Sequence, residues 1–298
     1  MKIAYLMLVH KNPRLLERAT RTLSTEDCGF FIHIDLKTDL REFSRLSGDN
    51  IFFSDQRLSV YWGEFSQVEA MIRLIRQALA SSTEYDYFVF LQGSDYPLRS
   101  GRYIQQFLQK NRGFEFMNLV KMPAPGYSLS KINKLSYPSD MPVRRFASRA
   151  LTKLGFAQRD YRKCLGGLEA YAGHAYWTLS RDACRHIVEF TTRNPHLEKY
   201  FRNTFTSDEM FFHTVLGNSP FRPRCRKSLV FVEPTWSIAG DLRHMVNEKH
   251  VTFFEAQEKP WVEDEWGSGE VLFARKFSDD RLDLVERIDE MIRRKGDC

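Results

Sequence analysis

Apolar positions along the chain fall into two alternating patterns. Short unbroken runs have the length and the β-branched and aromatic content of buried strands: Ile3-Ala4-Tyr5-Leu6-Met7-Leu8-Val9, Phe30-Phe31-Ile32-His33-Ile34, Ile51-Phe52-Phe53, Tyr87-Phe88-Val89-Phe90-Leu91 and Leu229-Val230-Phe231-Val232. Between them apolar residues recur every three or four positions, as in Leu15, Leu16, Ala19 and Leu23, then Val68, Met71, Ile72, Ile75 and Leu79, and finally Leu284, Ile288 and Ile292. That is the repeat of helices with one buried face. The predicted helices cover Asn12 to Leu23, with Asn12 as cap and Pro13 at the first helical position, Ser66 to Ala80, Tyr103 to Gln109, Arg181 to Thr192 behind the cap Ser180, and Asp280 to Arg294. Strands alternating with helices predict an α/β protein with a mostly parallel central sheet flanked by helices. Neither a repeat nor a long linker interrupts the pattern, so residues 1–298 read as a single domain.

Ligands of such sheets bind beyond the carboxyl ends of the strands. His10, Asp35 and Asp95 all fall just past a predicted strand end. A further polar cluster, Thr206-Ser207-Asp208-Glu209, precedes the apolar Met210, Phe211 and Val215 and reads as the opening turn of a helix. Thr206 or Ser207 would cap it, and its carboxylates would sit where the helix dipole favours negative charge. Two meanings stay open at this point: an ordinary acidic first turn, or a working base at the rim of a core. Residues 121–165 combine ten Lys and Arg with four prolines. They read as a basic variable insertion, either simply solvated or facing an acceptor or a membrane.

Composition narrows the field. At 43% hydrophobic and 14% aromatic residues the chain sustains a core and is not disordered. A net charge of +6 suits anionic partners such as nucleotide phosphates. The cations are scattered and form no nucleic-acid signature, so nucleic acid is not an expected partner. Five cysteines at long spacings without a CxxC predict neither a zinc site nor a disulfide framework. The N-terminal apolar run is far shorter than the roughly 20 residues a spanning helix needs and lacks a cleavage site. The expected location is cytoplasmic, with peripheral contact at the inner face of the membrane.

The chain has no GxGxxG, no GxxxxGK[ST], no GxSxG and no HExxH, which disfavours dinucleotide, P-loop, serine-hydrolase and zinc-protease chemistry. It also has no D-x-D, the motif through which most nucleotide-sugar transferases with this kind of sheet hold a metal. Without a metal, side chains must neutralise a departing diphosphate. Arg275 and Lys276, set between Phe273 and Phe277, are the candidates.

Seven motifs in order then resemble one family. They are Val9-His10-Lys11, Phe31-Ile32-His33-Ile34-Asp35-Leu36-Lys37, Val60-Tyr61-Trp62-Gly63-Glu64-Phe65-Ser66, Leu91-Gln92-Gly93-Ser94-Asp95-Tyr96-Pro97-Leu98, Gly173-His174-Ala175-Tyr176-Trp177, Ser207-Asp208-Glu209 and Leu272-Phe273-Ala274-Arg275-Lys276-Phe277. The series resembles family 14 of the glycosyltransferases, the core-2/I-branching β-1,6-N-acetylglucosaminyltransferases and peptide O-xylosyltransferases, in a bacterial-type member. The resemblance implies a GT-A-like fold without a D-x-D and a metal-independent, inverting transfer. A sugar, GlcNAc, xylose or another, would pass from a UDP-sugar to a hydroxyl of a saccharide or lipid-linked glycan acceptor. No cofactor beyond the donor is implied. Carried over by position, Glu209 is the general base. Lys276 binds the diphosphate with Arg275, Asp35 contacts the uridine with His10 nearby, and Trp236 lies near the acceptor. Asp95, His174, Trp177 and Asp208 fall in motifs around the donor or acceptor sugar, and Trp62 is assigned to the core. One departure stands out: a second basic phosphate contact common in the family aligns with Val251, and Lys249, His250 or Arg275 would have to take its place. Two rival expectations are a catalytically silent sugar-nucleotide or glycan-binding protein on the same fold, and a metal-dependent transferase with unrecognised ligands.

Overall fold

The computed structural model describes residues 1–139, 143, 146, 159–232 and 245–296. Its strands are β1 Ile3–Val9, β2 Cys28–Ile34, β3 Ile51–Phe53, β4 Tyr87–Gln92, β5 Asp95–Pro97, β6 Glu115–Met117, β7 Val120–Lys121, β8 Tyr171–Ala172, β9 Trp177–Ser180, β10 Cys225–Arg226, β11 Val230–Val232, β12 Trp261–Asp264, β13 Gly267–Glu270 and β14 Phe273–Arg275. Seven of them form the central sheet in the order β10-β6-β9-β4-β1-β2-β3. The β3-β2-β1-β4 and β10-β6 pairings are parallel, and only β9 runs against its two neighbours. The expected α/β architecture is therefore present, with one reversed strand inside it.

Over β1, β2 and β4 the sheet is buried on both faces, which is why these strands are apolar at nearly every position, while Phe52 and Phe53 of the edge strand β3 are exposed. All seven residues of β1 and of β2 are buried. One face packs Leu6, Phe31 and Phe90 against Val68, Met71 and Ile75 of the helix Phe65–Leu79. The other packs Tyr5, Phe30 and Val89 with Leu16, Ile104 and Leu108 of the helices Pro13–Leu23 and Gly101–Lys110. Among the described residues no helix is long and apolar enough to cross a membrane. Cys28, Cys164, Cys184 and Cys225 are free thiols.

A second, small sheet in the order β11-β14-β5 stands at the carboxyl end of β4. Its antiparallel register sets Arg275 opposite Asp95. The chain reaches β5 directly from β4 through Gly93 and Ser94, so this sheet is held to the edge where β1, β2 and β4 end.

One helix cap differs from the reading of the sequence and another follows it. Asn12 precedes the helix Pro13–Leu23 in a left-handed conformation (φ 62°) and its side chain does not cap that helix. Its amide instead donates to the Gly93 carbonyl at 3.0 Å and to Ser94 Oγ at 3.1 Å. The cap comes from far along the chain: Asp279 accepts from the N–H groups of Arg14 (3.1 Å) and Leu15 (2.7 Å). Ser180, as expected, accepts from the Ala183 N–H at the start of Arg181–Arg193.

Candidate active site

The acidic cluster is not the first turn of an α-helix. Thr206 is left-handed (φ 54°), Ser207–Glu209 form a single 3-10 turn, and the α-helix Phe211–Gly217 begins only after them. The turn is pinned from three sides. Thr206 N–H donates to the Gly63 carbonyl at 2.6 Å, Gln67 Nε2 donates to Asp208 Oδ2 at 3.2 Å, and Gly173 N–H donates to the Glu209 carbonyl at 3.0 Å. Gly173 must be glycine, because a Cβ there would lie 1.9 Å from the Asn118 carbonyl oxygen.

This placement changes the electrostatics expected from the sequence, where a helix terminus would favour ionised carboxylates. Burial pushes the Glu209 carboxyl up to about 7, the neighbouring Asp208 adds to the rise, and Lys131 opposes it. Burial likewise holds Asp208 up at about 6, against the pull of backbone N–H groups and of Arg275. Glu209 remains accessible, with a third of its side chain exposed and Lys131 Nζ 4.0 Å from its Oε2. Asp208 is set deeper, and its Oδ1 is buried with no hydrogen-bond partner, as is Ser207 Oγ.

On the other side of Tyr176 lies the Asp95–Arg275 pair. The two side chains are buried and meet at 2.8 Å. Arg275 also donates to Gln92 Oε1 at 3.0 Å and stacks over the Tyr176 ring at 4.1 Å. Burial raises the Asp95 carboxyl, while Arg275, the Gln92 N–H and Lys276 pull it back. Arg275 is thus committed to an internal ion pair, which corrects its expected place on the diphosphate and makes Asp95 its structural counterion. Lys276, the next residue, is only partly buried. Tyr176 joins the two halves of the site: the charges of Arg275, Asp95, Asp208 and Glu209 all act on its buried phenol, whose pKa burial raises well above the ordinary value.

The remaining residues are distributed as follows. His10 is exposed at the end of β1. Asp35, at the end of β2, is buried and bonded to Lys37 Nζ at 2.7 Å and to the Val60 N–H at 3.3 Å. His174 lies 3.5 Å through Nδ1 from the Asn118 amide, and its carbonyl bonds His213 Nε2 at 3.0 Å. Trp177 is not at the cleft surface. It is 1% exposed and packs between Phe90 and Phe212, so it belongs to the core rather than to a sugar site. Trp62 moves the other way: expected in the core, it is 78% exposed, edge-on to Phe205 at 5.4 Å. The left-handed Gly63 (φ 69°) turns the chain so that Phe65, not Trp62, enters the core. Val251 is fully buried. Trp236 lies outside the described residues. Among the described residues no group of three or more His, Cys, Asp or Glu is arranged to hold a metal ion.

Four contributors went unassigned in the sequence. Tyr176 stood inside a motif without a role. Lys131 and Tyr127 belong to the basic 121–165 segment, and Trp266 to a hairpin with no recognisable signature. Lys131 sits over the Tyr127 ring at 4.7 Å, and Trp266 packs edge-on to both Tyr127 (5.9 Å) and His174 (5.3 Å). Lys131 and Tyr127 bring part of the 121–165 segment beside Glu209.

Residues 3–253 match the family model described as Core-2/I-Branching enzyme. The chain is similar to Xylosyltransferase 2 of Rattus norvegicus (26% identity over 229 residues, 74% of this chain and 25% of that protein). It is similar to Xylosyltransferase 2 of Homo sapiens (27% over 228 residues, 73% and 25%) and to the Xylosyltransferase of Ciona intestinalis (24% over 225 residues, 73% and 25%). It spans about a quarter of the length of these relatives. With the match running from β1 into the helix Glu248–Ala256, the chain belongs to the core-2/I-branching family of glycosyltransferases.

Proposed function

We propose that the protein is an inverting glycosyltransferase that moves a sugar from a UDP-sugar to a hydroxyl of a glycan acceptor without a metal ion, with Glu209 as general base and Lys276 as the cation for the leaving diphosphate. The observation that carries this reading is the position of Glu209. It is an accessible carboxylate titrating at about 7, across Tyr176 from the Asp95–Arg275–Lys276 segment at the carboxyl edge of the sheet.

The step balances simply. The acceptor hydroxyl gives its proton to a Glu209 oxygen as its own oxygen bonds to the anomeric carbon of the donor. The bond from that carbon to the diphosphate oxygen breaks, and UDP leaves with the electron pair. Attack from the face opposite the leaving group inverts the anomeric centre. A base works best when its pKa lies near the working pH, and burial gives Glu209 that value. Charge growing on the diphosphate is met by a positioned cation in a partly desolvated site, which reduces the need to reorganise solvent. Lys276 faces that task, while Arg275 holds its strand in place through Asp95. His10 and Asp35, at the ends of adjacent strands, fall where the uridine would lie. The donor sugar and the linkage are set by loops on which the fold puts no constraint.

The test is a panel of UDP-sugars and acceptors assayed in EDTA with the wild-type protein, Glu209→Gln and Lys276→Ala. Loss of the base is expected to lower kcat by about 100-fold or more while UDP still binds. Loss of the lysine is expected to weaken donor binding as well. Normal transfer by Glu209→Gln would overturn the mechanism, and a strict requirement for Mn²⁺ would overturn metal independence.

A further inference from the structure

The β12–β13 hairpin follows the residues that the family model matches. Its register pairs Asp264 with Gly267, leaving Glu265 and Trp266 as a two-residue tip, and Gly267 takes the positive φ (101°) that closes it. The tip is held firmly. Lys227, nearly buried, donates to the carbonyls of Val262 (3.0 Å) and Gly267 (2.8 Å) and pairs with Asp264 at 2.8 Å, while the Trp266 N–H of the backbone bonds Asp264 Oδ1 at 2.9 Å. So fixed, the indole packs on Tyr127 and His174. Tyr127 leads to Glu209 through Lys131, which touches both. Segments 127–131, 173–174 and 265–266 therefore converge beside the candidate base.

One atom in this cluster is unexplained by the protein itself. The indole Nε1 of Trp266 is buried and has no hydrogen-bond partner. A buried indole N–H normally finds an acceptor, and an orphan costs its full desolvation. The charge around it is also distinctive: the carboxylates of Glu209, Glu265 and Asp208 all act on the Tyr127 phenol. Lys131, over the Tyr127 ring, offsets only part of that negative charge, so an anionic ligand is disfavoured at this wall, whereas a neutral sugar offers an apolar ring face to aromatic side chains and hydroxyl oxygens to a donor.

We propose that Trp266 is an acceptor-recognition residue: the Tyr127–Trp266 wall packs against the apolar face of an uncharged pyranose, and the indole N–H, covered in the free protein, is uncovered as the sugar docks and donates to one of its hydroxyls. The proposal rests on Glu209 as the base that this acceptor approaches. It makes the hairpin, rather than the family-matched core, the element that selects the acceptor.

The experiment is saturation-transfer NMR on the full chain with saturating UDP, using lactose and N-acetyllactosamine as neutral probes and 3′-sialyllactose as the anionic one. Wild type, Trp266→Ala, Trp266→Phe and Glu209→Gln are compared, with thermal melts confirming that each variant folds. Neutral sugars are expected to bind through their ring faces. Affinity should fall about tenfold in Trp266→Ala, which is 1.4 kcal/mol, and by less in Trp266→Phe, which keeps the ring but not the N–H. UDP affinity should not move. The proposal is overturned if Trp266→Ala binds the neutral sugars as wild type does, if sialyllactose binds as well as they do, or if no neutral probe binds at all. Sugar binding intact in a wild-type protein that transfers nothing would strike instead at the transferase reading and leave the role of Trp266 standing.

Discussion

The pKa of Glu209 ties rate and stability to the same carboxyl. Its folded value, about 7, lies above the ordinary 4.5. As a base it must be ionised, so kcat/KM should rise with pH up to about 7 and then level off. For stability the sign is opposite. An acid whose pKa is raised on folding binds its proton more tightly in the native state, so the native state loses ground as pH climbs from the unfolded value to the folded one. Asp208 acts in the same direction up to about 6. Glu209→Gln should therefore melt higher than wild type at pH 8 and no higher at pH 4, which a pair of thermal scans would check. Equal melting differences at both pH values would mean that the native site does not hold the raised carboxyl. The Asp95–Arg275 pair tests a different penalty. Arg275→Ala would leave the buried Asp95 side chain without its counterion, at a cost of about 3–5 kcal/mol, measurable by urea unfolding.

At the scale of elements, the glycine at the β8–β9 corner sets the position of the base. Gly173→Ala would drive its Cβ into the Asn118 carbonyl and shift the N–H that holds the Glu209 carbonyl. Activity should fall with UDP affinity kept, and stability should fall too; a fully active variant would show that the clamp is dispensable. Elements of this kind mark what could be read from the chain alone. The buried strands, the helix Phe65–Leu79 and the Ser180 cap all follow from local periodicity and local hydrogen bonding, which sequence spacing reports directly. So does the cluster of polar residues at strand ends. What failed was non-local. Asn12 looked like a cap, but its amide is used by Gly93 and Ser94, and Asp279 caps in its place. Thr206 looked helical, but its N–H is drawn to Gly63. Trp62 and Trp177 exchanged places because aromatic content says nothing about which side of a turn faces outward. Tyr127, Lys131 and Trp266 lie in irregular segments where no period exists to be read.

For the molecule as a whole, the candidate site is spread over two sheets, beside the 3-10 turn of Glu209. The central one ends on His10 and Asp35, and the β11-β14-β5 sheet carries Asp95, Arg275 and Lys276. A nucleotide bound between them would join the two. UDP at about 100 times its Kd should add about 2.7 kcal/mol to the unfolding free energy. Hydrogen exchange should slow in β5 and β14 as well as at the ends of β1 and β2. Protection confined to the central sheet would argue against Lys276 as the phosphate contact.

The pairing of Asp95 with Arg275 also carries a consequence for biosynthesis. Strand order and synthesis order disagree here. The ribosome delivers β1, β2, β4 and Asp95 before β14, when the central strands already have their parallel neighbours, and the arginine that neutralises Asp95 emerges far later in the chain. Until then the nascent chain holds a carboxylate destined for a dry interior with nothing to balance it. β5 must wait, hydrated and unpaired, at the edge of a half-built sheet. β14 thus brings the counterion, and the residue after it brings the cation proposed for the leaving group, so one late segment supplies both the charge balance of Asp95 and the proposed chemistry.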